Sequence, residues 1–419
     1  MKNINNIFLL IVLVLVSTAS FSQDIKGDIE KYLNNIIAEI PGSNTNDYTI
    51  PASDDLNSWG NVLGYMFNNQ IESANDLANG LNYQIVDFQD TTLNANNRFY
   101  IIEEKKPRTK YWGTYIISAN PSRNRLIIQA PHPIYDSNTG YQATFCFKRL
   151  QPKALFISGT HRCNHILETD CSGTTGACGS TGPYRVSDNA HNVNSVFQIF
   201  TKEIADNFDN TVFVQLHGFS KGANDPYLIM SNGTRVTPSV DYNALIRDGL
   251  LQADPSLTFK IANINTDWDR LIAFTNVQGR YINNSSDPCS VNASNSDGRF
   301  VHIEQERSKL RSDSVGWYKM YLAMKSAFDI TTDIDPAICA DNQLVEVYPN
   351  PNNGNFIIDL KDKAKSISII DSHGKYIYKN SDVIAQALQI NLKNQSPGIY
   401  FVRIVSLKGI LQKKILLLK

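Results

Sequence analysis

Short β-rich runs alternate with helical stretches between Phe99 and Phe328, and this alternation constrains the fold of the 419-residue chain more than any other feature. Strands that alternate with helices are typical of an α/β domain, in which helices pack on the faces of a sheet. We therefore predict a mostly parallel or mixed sheet flanked by helices over residues 99–330.

Polar residues follow four of the predicted strands, which cover residues 125–130, 154–158, 211–216 and 299–303. In open α/β sheets, ligands bind outside the carboxyl ends of the strands. The polar residues at these ends are expected to converge; they are His132 and Asp136, Arg162, His217, and Glu304.

Two imidazoles and a carboxylate, from His132, Asp136 and His217, form the donor set of a catalytic zinc site that keeps one position for water. Glu304 is then the candidate general base for that water. Arg162 is a candidate for binding an oxyanion or a substrate carboxylate. Each residue alone also fits an ordinary loop, turn or cap role, so the prediction depends on the whole set.

The order of these motifs resembles the zinc carboxypeptidase-like exopeptidase fold. Three motifs, Ala130-Pro131-His132, Leu216-His217-Gly218-Phe219 and His302-Ile303-Glu304 with Leu310-Arg311 after it, resemble its amidohydrolase branch. That branch includes phage poly-γ-glutamate hydrolases and N-formylglutamate amidohydrolases. The resemblance covers about residues 126–311 and implies a peptide or amide substrate.

The resemblance also implies individual roles. His132 and His217 become zinc ligands and Glu304 the general base. Asp136 stands where the family usually has glutamate and would be the third ligand. Arg162 matches the substrate-side arginine in order, and Arg280 is a second candidate for binding a substrate carboxylate.

A competing motif lies beside His217. The stretch Gly218-Phe219-Ser220-Lys221-Gly222 matches the GxSxG pattern of serine hydrolases. That pattern requires a strand, a sharp turn and then a helix. Asn224-Asp225-Pro226 disfavours a helix there. A serine hydrolase that uses Ser220 and a non-catalytic surface adhesin or binding module stay as alternatives.

The two ends of the chain predict export. Residues 1–22 combine Lys2, an apolar run and a small-residue cleavage site, as in a signal peptide. After a linker at 331–343, residues 344–419 have short alternating runs that predict an all-β sandwich. Motifs such as Tyr348-Pro349-Asn350-Pro351 resemble the type A sorting domain of the type IX secretion system. The resemblance implies contact with that machinery and a secreted or surface location on a Gram-negative cell.

Charge and cysteine content narrow the function further. The net charge is −1 and no basic block is present, so nucleic acid is not an expected partner. No segment after the signal peptide is apolar enough to cross a membrane. Six cysteines in an exported chain favour disulfides. A zinc site from Cys163, Cys171 and Cys178 with His161 and His165 is the alternative.

The segment 23–98 receives no functional role from its sequence. Ile25, Ile29, Leu33 and Ile36 recur at helical spacing and predict an amphipathic helix over residues 24–42.

Overall fold

The structure is a computed structural model that describes residues 23–93, 97–329, 345–361, 364–371, 376–380, 383, 386–406 and 409–418. The predicted signal peptide and the predicted linker at 331–343 lie outside the described residues. Contacts divide the chain into two units, Met1–Phe328 and Asp329–Lys419.

The first unit contains strands and helices that alternate along much of the chain. Its strands are β1 (Gln23–Gly27), β2 (Tyr83–Asp90), β3 (Arg98–Glu104), β4 (Thr114–Ser118), β5 (Arg123–Ala130), β6 (Pro152–Ile157), β7 (Thr174–Thr175), β8 (Gly182–Pro183), β9 (Val212–Gly218), β10 (Leu228–Ser231), β11 (Phe259–Ile261) and β12 (Phe300–Gln305). Its helices are α1 (Ile29–Ala38), α2 (Ser53–Phe67), α3 (Ile71–Gly80), α4 (Thr139–Leu150), α5 (Val196–Asn207), α6 (Tyr242–Ala253), α7 (Val277–Ile282), α8 (Arg307–Leu310) and α9 (Ser314–Phe328).

One mixed, ten-stranded sheet organises this unit, in the order β1-β2-β3-β4-β6-β5-β9-β12-β10-β11. The strands β6, β5, β9 and β12 run parallel at its centre. Antiparallel pairs on either side join them to the outer strands. The predicted α/β architecture with a mostly parallel or mixed sheet is thereby confirmed.

Helices cover both faces of the sheet. Side chains alternate between the faces along a strand, so Ile128 of β5 packs in the core cluster that contains α1, α4, α6 and α9. Its neighbour Ile127 packs in the cluster that contains α2, α3 and α5. Phe213 and Phe300 also lie on this second face. The same alternation places there the following residues of β9 and β12: Gln215, His217, His302 and Glu304.

The segment 23–98 contributes β1 and β2 to the same sheet as the later strands. The helix predicted over residues 24–42 is wrong at its start. Residues 23–27 instead pair with β2 as a strand. The helix begins at Ile29 because Asp28 caps it, accepting hydrogen bonds from the backbone N–H groups of Glu30 and Lys31.

Two disulfides hold the long loop that follows β6. They join Cys163 to Cys178 and Cys171 to Cys289. Cys146 is free and buried. The prediction of disulfides is confirmed, and the sulfurs of the three loop cysteines are not available for the alternative zinc site.

The second unit is built from antiparallel strands. They are β13 (Val345–Tyr348), β14 (Asn355–Leu360), β15 (Ala364–Asp371), β16 (Tyr376–Asn380), β17 (Ala387–Asn391), β18 (Gly398–Ser406) and β19 (Gly409–Leu417). They form sheets of order β13-β14-β17 and β16-β15-β18-β19. Ile358 and Val402, one from each sheet, belong to one buried cluster, as expected for the predicted sandwich. Within the described residues, no helix has the length and apolar character needed to cross a membrane.

Candidate metal centre

The central parallel strands position the polar residues that the sequence singles out. His132 and Asp136 follow β5, His217 lies near the end of β9, and Glu304 lies near the end of β12. Glu304 is the register partner of His217. These positions lie at the carboxyl ends of neighbouring parallel strands, where an α/β sheet presents its ligand-binding edge.

Three side chains meet at one carboxylate oxygen. His132 Nδ1 and His217 Nδ1 each lie 3.2 Å from Asp136 Oδ2. All three side chains are buried. Tetrahedral zinc with ordinary bond lengths separates its ligand atoms by about 3.4 Å. Both N···O distances are therefore close to the edge of a zinc tetrahedron, and the three ligand atoms all lie within 4.8 Å of one another.

The hydrogen-bond network fixes which nitrogen of His217 bears the proton. Asn276 Oδ1 accepts from the backbone N–H of Gly279, so Asn276 Nδ2 donates to Gln215 Oε1. Gln215 Oε1 is thus an acceptor, and it lies 3.1 Å from His217 Nε2. His217 Nε2 must donate, which leaves a lone pair on Nδ1 in the neutral ring.

The Asp188 carboxylate accepts from His132 as Gln215 accepts from His217. His132 Nε2 lies 2.8 Å from Asp188 Oδ1, and a carboxylate can only accept. Ligating histidines commonly donate their other ring N–H to a carboxylate or a carbonyl, which fixes the ring orientation. Both candidate histidines have this arrangement, and both aim Nδ1 at Asp136.

The charges around these three atoms favour a cation between them. Burial lowers the pKa of His217 to about 4, so this ring is neutral near pH 7. Burial and Arg162 act to lower the pKa of His132, but Asp188 and Asp136 outweigh them and raise it. One proton on His132 would still leave the lone pair of His217 Nδ1 facing an anionic oxygen. A divalent cation satisfies all three acceptors together.

Glu304 lies beside this cluster with a free oxygen. Its Oε2 is buried and has no hydrogen-bond partner among the described residues. Burial, and then the charge of Asp136, raise the pKa of Glu304 to about 8. Ligand atoms of Glu304, His302 and His217 lie within 4.8 Å of one another, so Glu304 adjoins the candidate metal position.

Arg162 reaches the cluster through Asp188. Its Nε and Nη2 donate to Asp188 Oδ2, at 2.9 and 2.5 Å. No described residue accepts from its Nη1, so this group keeps its N–H donors for another partner. The guanidinium also lies 5.3 Å from the centre of the Tyr135 ring.

Arg280 lies in a different environment. Its guanidinium donates to the backbone oxygens of Phe274, Pro288 and Cys289, and to the side chains of Ser172 and Asn292. These contacts tie α7 to the loop closed by Cys171 and Cys289. Every N–H-bearing nitrogen is engaged, and the substrate-binding role of Arg280 stays a prediction.

Arg311 clamps the loops that carry the cluster. This buried guanidinium donates to the backbone oxygens of Asp136, Ser137, Gln305 and Phe219. A Cβ on Gly218 would overlap it. The glycine of the GxSxG match is therefore needed for the close approach of Arg311.

Ser220 lacks the surroundings of a nucleophile. It is exposed, and the chain after it runs through an irregular stretch into β10. The strand, turn and helix that the serine-hydrolase motif requires are not formed here.

Asp188 and Gln215 contact the two histidines, and neither is among the site residues predicted from the sequence. Asp188 belongs to a polar run, 187–192, whose residue types by themselves are ordinary for a region before a helix. Gln215 lies two residues before His217 in β9 and so on the same face of the sheet. That alternation is the signal that could have identified it.

The comparisons with known proteins identify the second unit. Residues 346–418 match the family described as the secretion system C-terminal sorting domain. The chain carries a sorting domain of the type IX secretion system. This match confirms the predicted location, since such proteins are secreted or displayed on the surface of Gram-negative cells.

Solved structures give weaker likenesses. PorZ, a surface component of the type IX secretion system of Porphyromonas gingivalis, has 20% identity over 21% of this chain and a TM-score of 0.17, and the match spans only 13% of PorZ. A proposed carboxypeptidase A from Shewanella denitrificans has 13% identity over 52% of this chain and 61% of its own length, with a TM-score of 0.31. The zinc-free form of YNDL has 12% identity over 52% of this chain and 91% of its own length, with a TM-score of 0.28.

The predicted resemblance to zinc carboxypeptidase-like structures is thus found, at low identity. Scores this low add no argument about the site, which depends on its own geometry. No curated protein sequence matches the chain.

Proposed function

We propose that this protein is an exported zinc-dependent hydrolase of amide or peptide bonds. The observation that carries the proposal is the convergence of three acceptors, because His132 Nδ1 and His217 Nδ1 each lie 3.2 Å from Asp136 Oδ2. Because His217 Nε2 donates to Gln215 Oε1, His217 has no hydrogen-bond donor left for that point.

Zinc is the ion that suits this donor set, because two imidazoles and one carboxylate with an open fourth position are typical of its catalytic sites. Bound there, it would lower the pKa of a water to about 7 and polarise a carbonyl.

Glu304 would handle the proton of the reaction. The unpaired Oε2 gives it a free site to accept a proton from the attacking water, and the same carboxyl group can pass that proton to the leaving nitrogen. Burial excludes bulk water from this exchange.

Arg162 would bind negative charge on the substrate. Asp188 holds the guanidinium through Nε and Nη2, so Nη1 is presented without freedom to rotate away. A fixed donor of this kind suits a developing oxyanion or a substrate carboxylate.

The test compares the wild-type protein with the Glu304→Gln variant. Both should bind about one zinc per chain, and only the wild type should release amines from poly-γ-glutamate, N-formyl-glutamate or a mixed peptide library. The loss of rate should be several orders of magnitude. Full activity in Glu304→Gln would remove Glu304 as the base, and zinc-independent activity would refute the proposal.

A further inference from the structure

His302 is a third buried imidazole beside the candidate metal centre. It lies two residues before Glu304 in β12, so both side chains project from the same face of the sheet. Its ring centre lies 4.4 Å from that of His217. Only 5% of His302 is exposed, so water does not satisfy its ring nitrogens from outside.

The contacts of His302 are incomplete in a specific way. Its Nε2 lies 3.7 Å from Glu304 Oε1, slightly beyond a hydrogen bond. Its Nδ1 has no partner among the described residues, and neither does Glu304 Oε2. A buried N–H without an acceptor costs stability, so the ring proton is favoured on Nε2, which has the Glu304 carboxylate nearby, over Nδ1, which has no acceptor.

Catalytic hydrogen bonds are often long in the free protein and shorten when the site is loaded. A small rotation about the side-chain bonds of Glu304 would bring Oε1 within reach of His302 Nε2. Oε2, the unpaired oxygen, would then be the one left to face the metal position.

We propose that His302 is a positioning residue, which donates from Nε2 to Glu304 Oε1 and so directs Oε2 toward the water that is to be deprotonated. This inference rests on the proposed function and adds a residue to it. His302 acts through Glu304 and binds neither the metal nor the substrate.

The donor position makes the proposal specific. Glutamine can place its amide nitrogen close to where Nε2 of histidine lies, whereas asparagine reaches only the Nδ1 position. His302→Gln should therefore retain most of the activity. His302→Asn and His302→Ala should each lose about 10- to 100-fold in kcat, with little change in KM, as is typical when a residue supporting a metal site is removed. All three should keep their zinc.

A double-mutant cycle separates positioning from general structural damage. If His302 acts through Glu304, His302→Ala should lower kcat in the wild type and have little further effect in Glu304→Gln. An equal loss in both backgrounds would overturn the proposal, and so would wild-type kcat in His302→Ala or a better rescue by asparagine than by glutamine.

Nitrogen NMR of the full-length protein tests the contact without any activity. The ¹⁵N signals of His302, assigned by their loss in His302→Gln, should show a proton on Nε2, and the Nε2 signal should move in Glu304→Gln. A proton on Nδ1 instead, or an Nε2 signal that does not respond, would overturn the proposal.

These readouts also separate the two proposals. Absence of zinc with the expected His302 signals would refute the proposed function while the contact stands. Zinc-dependent hydrolysis with a proton on His302 Nδ1 would support the proposed function and refute the contact between His302 and Glu304.

Discussion

Gly218→Ala should damage the candidate site through Arg311, although neither residue is a proposed ligand. The new methyl group would overlap the Arg311 guanidinium, which then has to move. That movement would weaken its bonds to the backbone oxygens of Asp136, Ser137 and Gln305. One hydrogen bond from a charged group contributes about 1.5–3 kcal/mol, and overpacking costs about 1–3 kcal/mol.

We therefore expect a destabilisation of about 3 kcal/mol. For a unit of this size it should lower Tm by about 5 °C. Because Arg311 holds the backbone of Asp136, zinc affinity should also fall about 10-fold or more. Thermal unfolding followed by circular dichroism and zinc competition against a chromophoric chelator measure the two effects.

Matched controls come from the same motif. A Cβ on Gly222 would have Asp225 Oδ2 as its nearest neighbour, at 3.4 Å, an ordinary contact. Gly222→Ala and Ser220→Ala should each change stability by less than about 0.5 kcal/mol and leave activity intact. Equal damage from both glycine substitutions would refute this reasoning about Arg311. A large loss of activity in Ser220→Ala would favour a serine nucleophile.

Two further predictions concern the Asp188 carboxylate and the protons that zinc binding releases. Asp188→Asn removes the charge that holds His132 and Arg162, so zinc affinity should fall about 10- to 100-fold in the chelator competition; unchanged affinity would show that Asp188 does not support the ligand. Zinc binding at pH 6 should release about two protons in the wild type. The pKa of His132 is raised and that of Glu304 is raised to about 8, so both groups carry a proton at this pH, and both must lose it near a cation. Calorimetry in buffers of different ionisation enthalpy should find about one proton fewer in Glu304→Gln, and an equal release in both proteins would contradict the assignment.

Local pattern was sufficient to predict the sheet and the convergence of His132, Asp136 and His217 at one edge of it. The strands before His132, His217 and Glu304 are short, β-rich and buried, and their order along the chain placed the polar residues at one edge. The helix predicted over residues 24–42 failed at its start because Ile25 fits both periods, and pairing with β2 decides between them.

Long-range contacts explain what the sequence did not reveal. In the sequence, Gly218 fits a catalytic motif. The structure shows a different reason for the glycine, because Arg311, far along the chain, packs against it. The proton on His217 depends on Gln215, Asn276 and Gly279 in series, and no local pattern encodes that chain of bonds. The contacts of Arg280 with Cys289 and Asn292 also come from a loop beyond its own motif, so no local pattern shows them.

The zinc content of the purified protein tests the central claim most directly. We predict about one zinc per chain by mass spectrometry of the metal, and almost none in a folded His132→Ala/His217→Ala variant. A wild-type protein that stays folded yet takes up no zinc after reconstitution, or a double variant that keeps its zinc, would contradict the account.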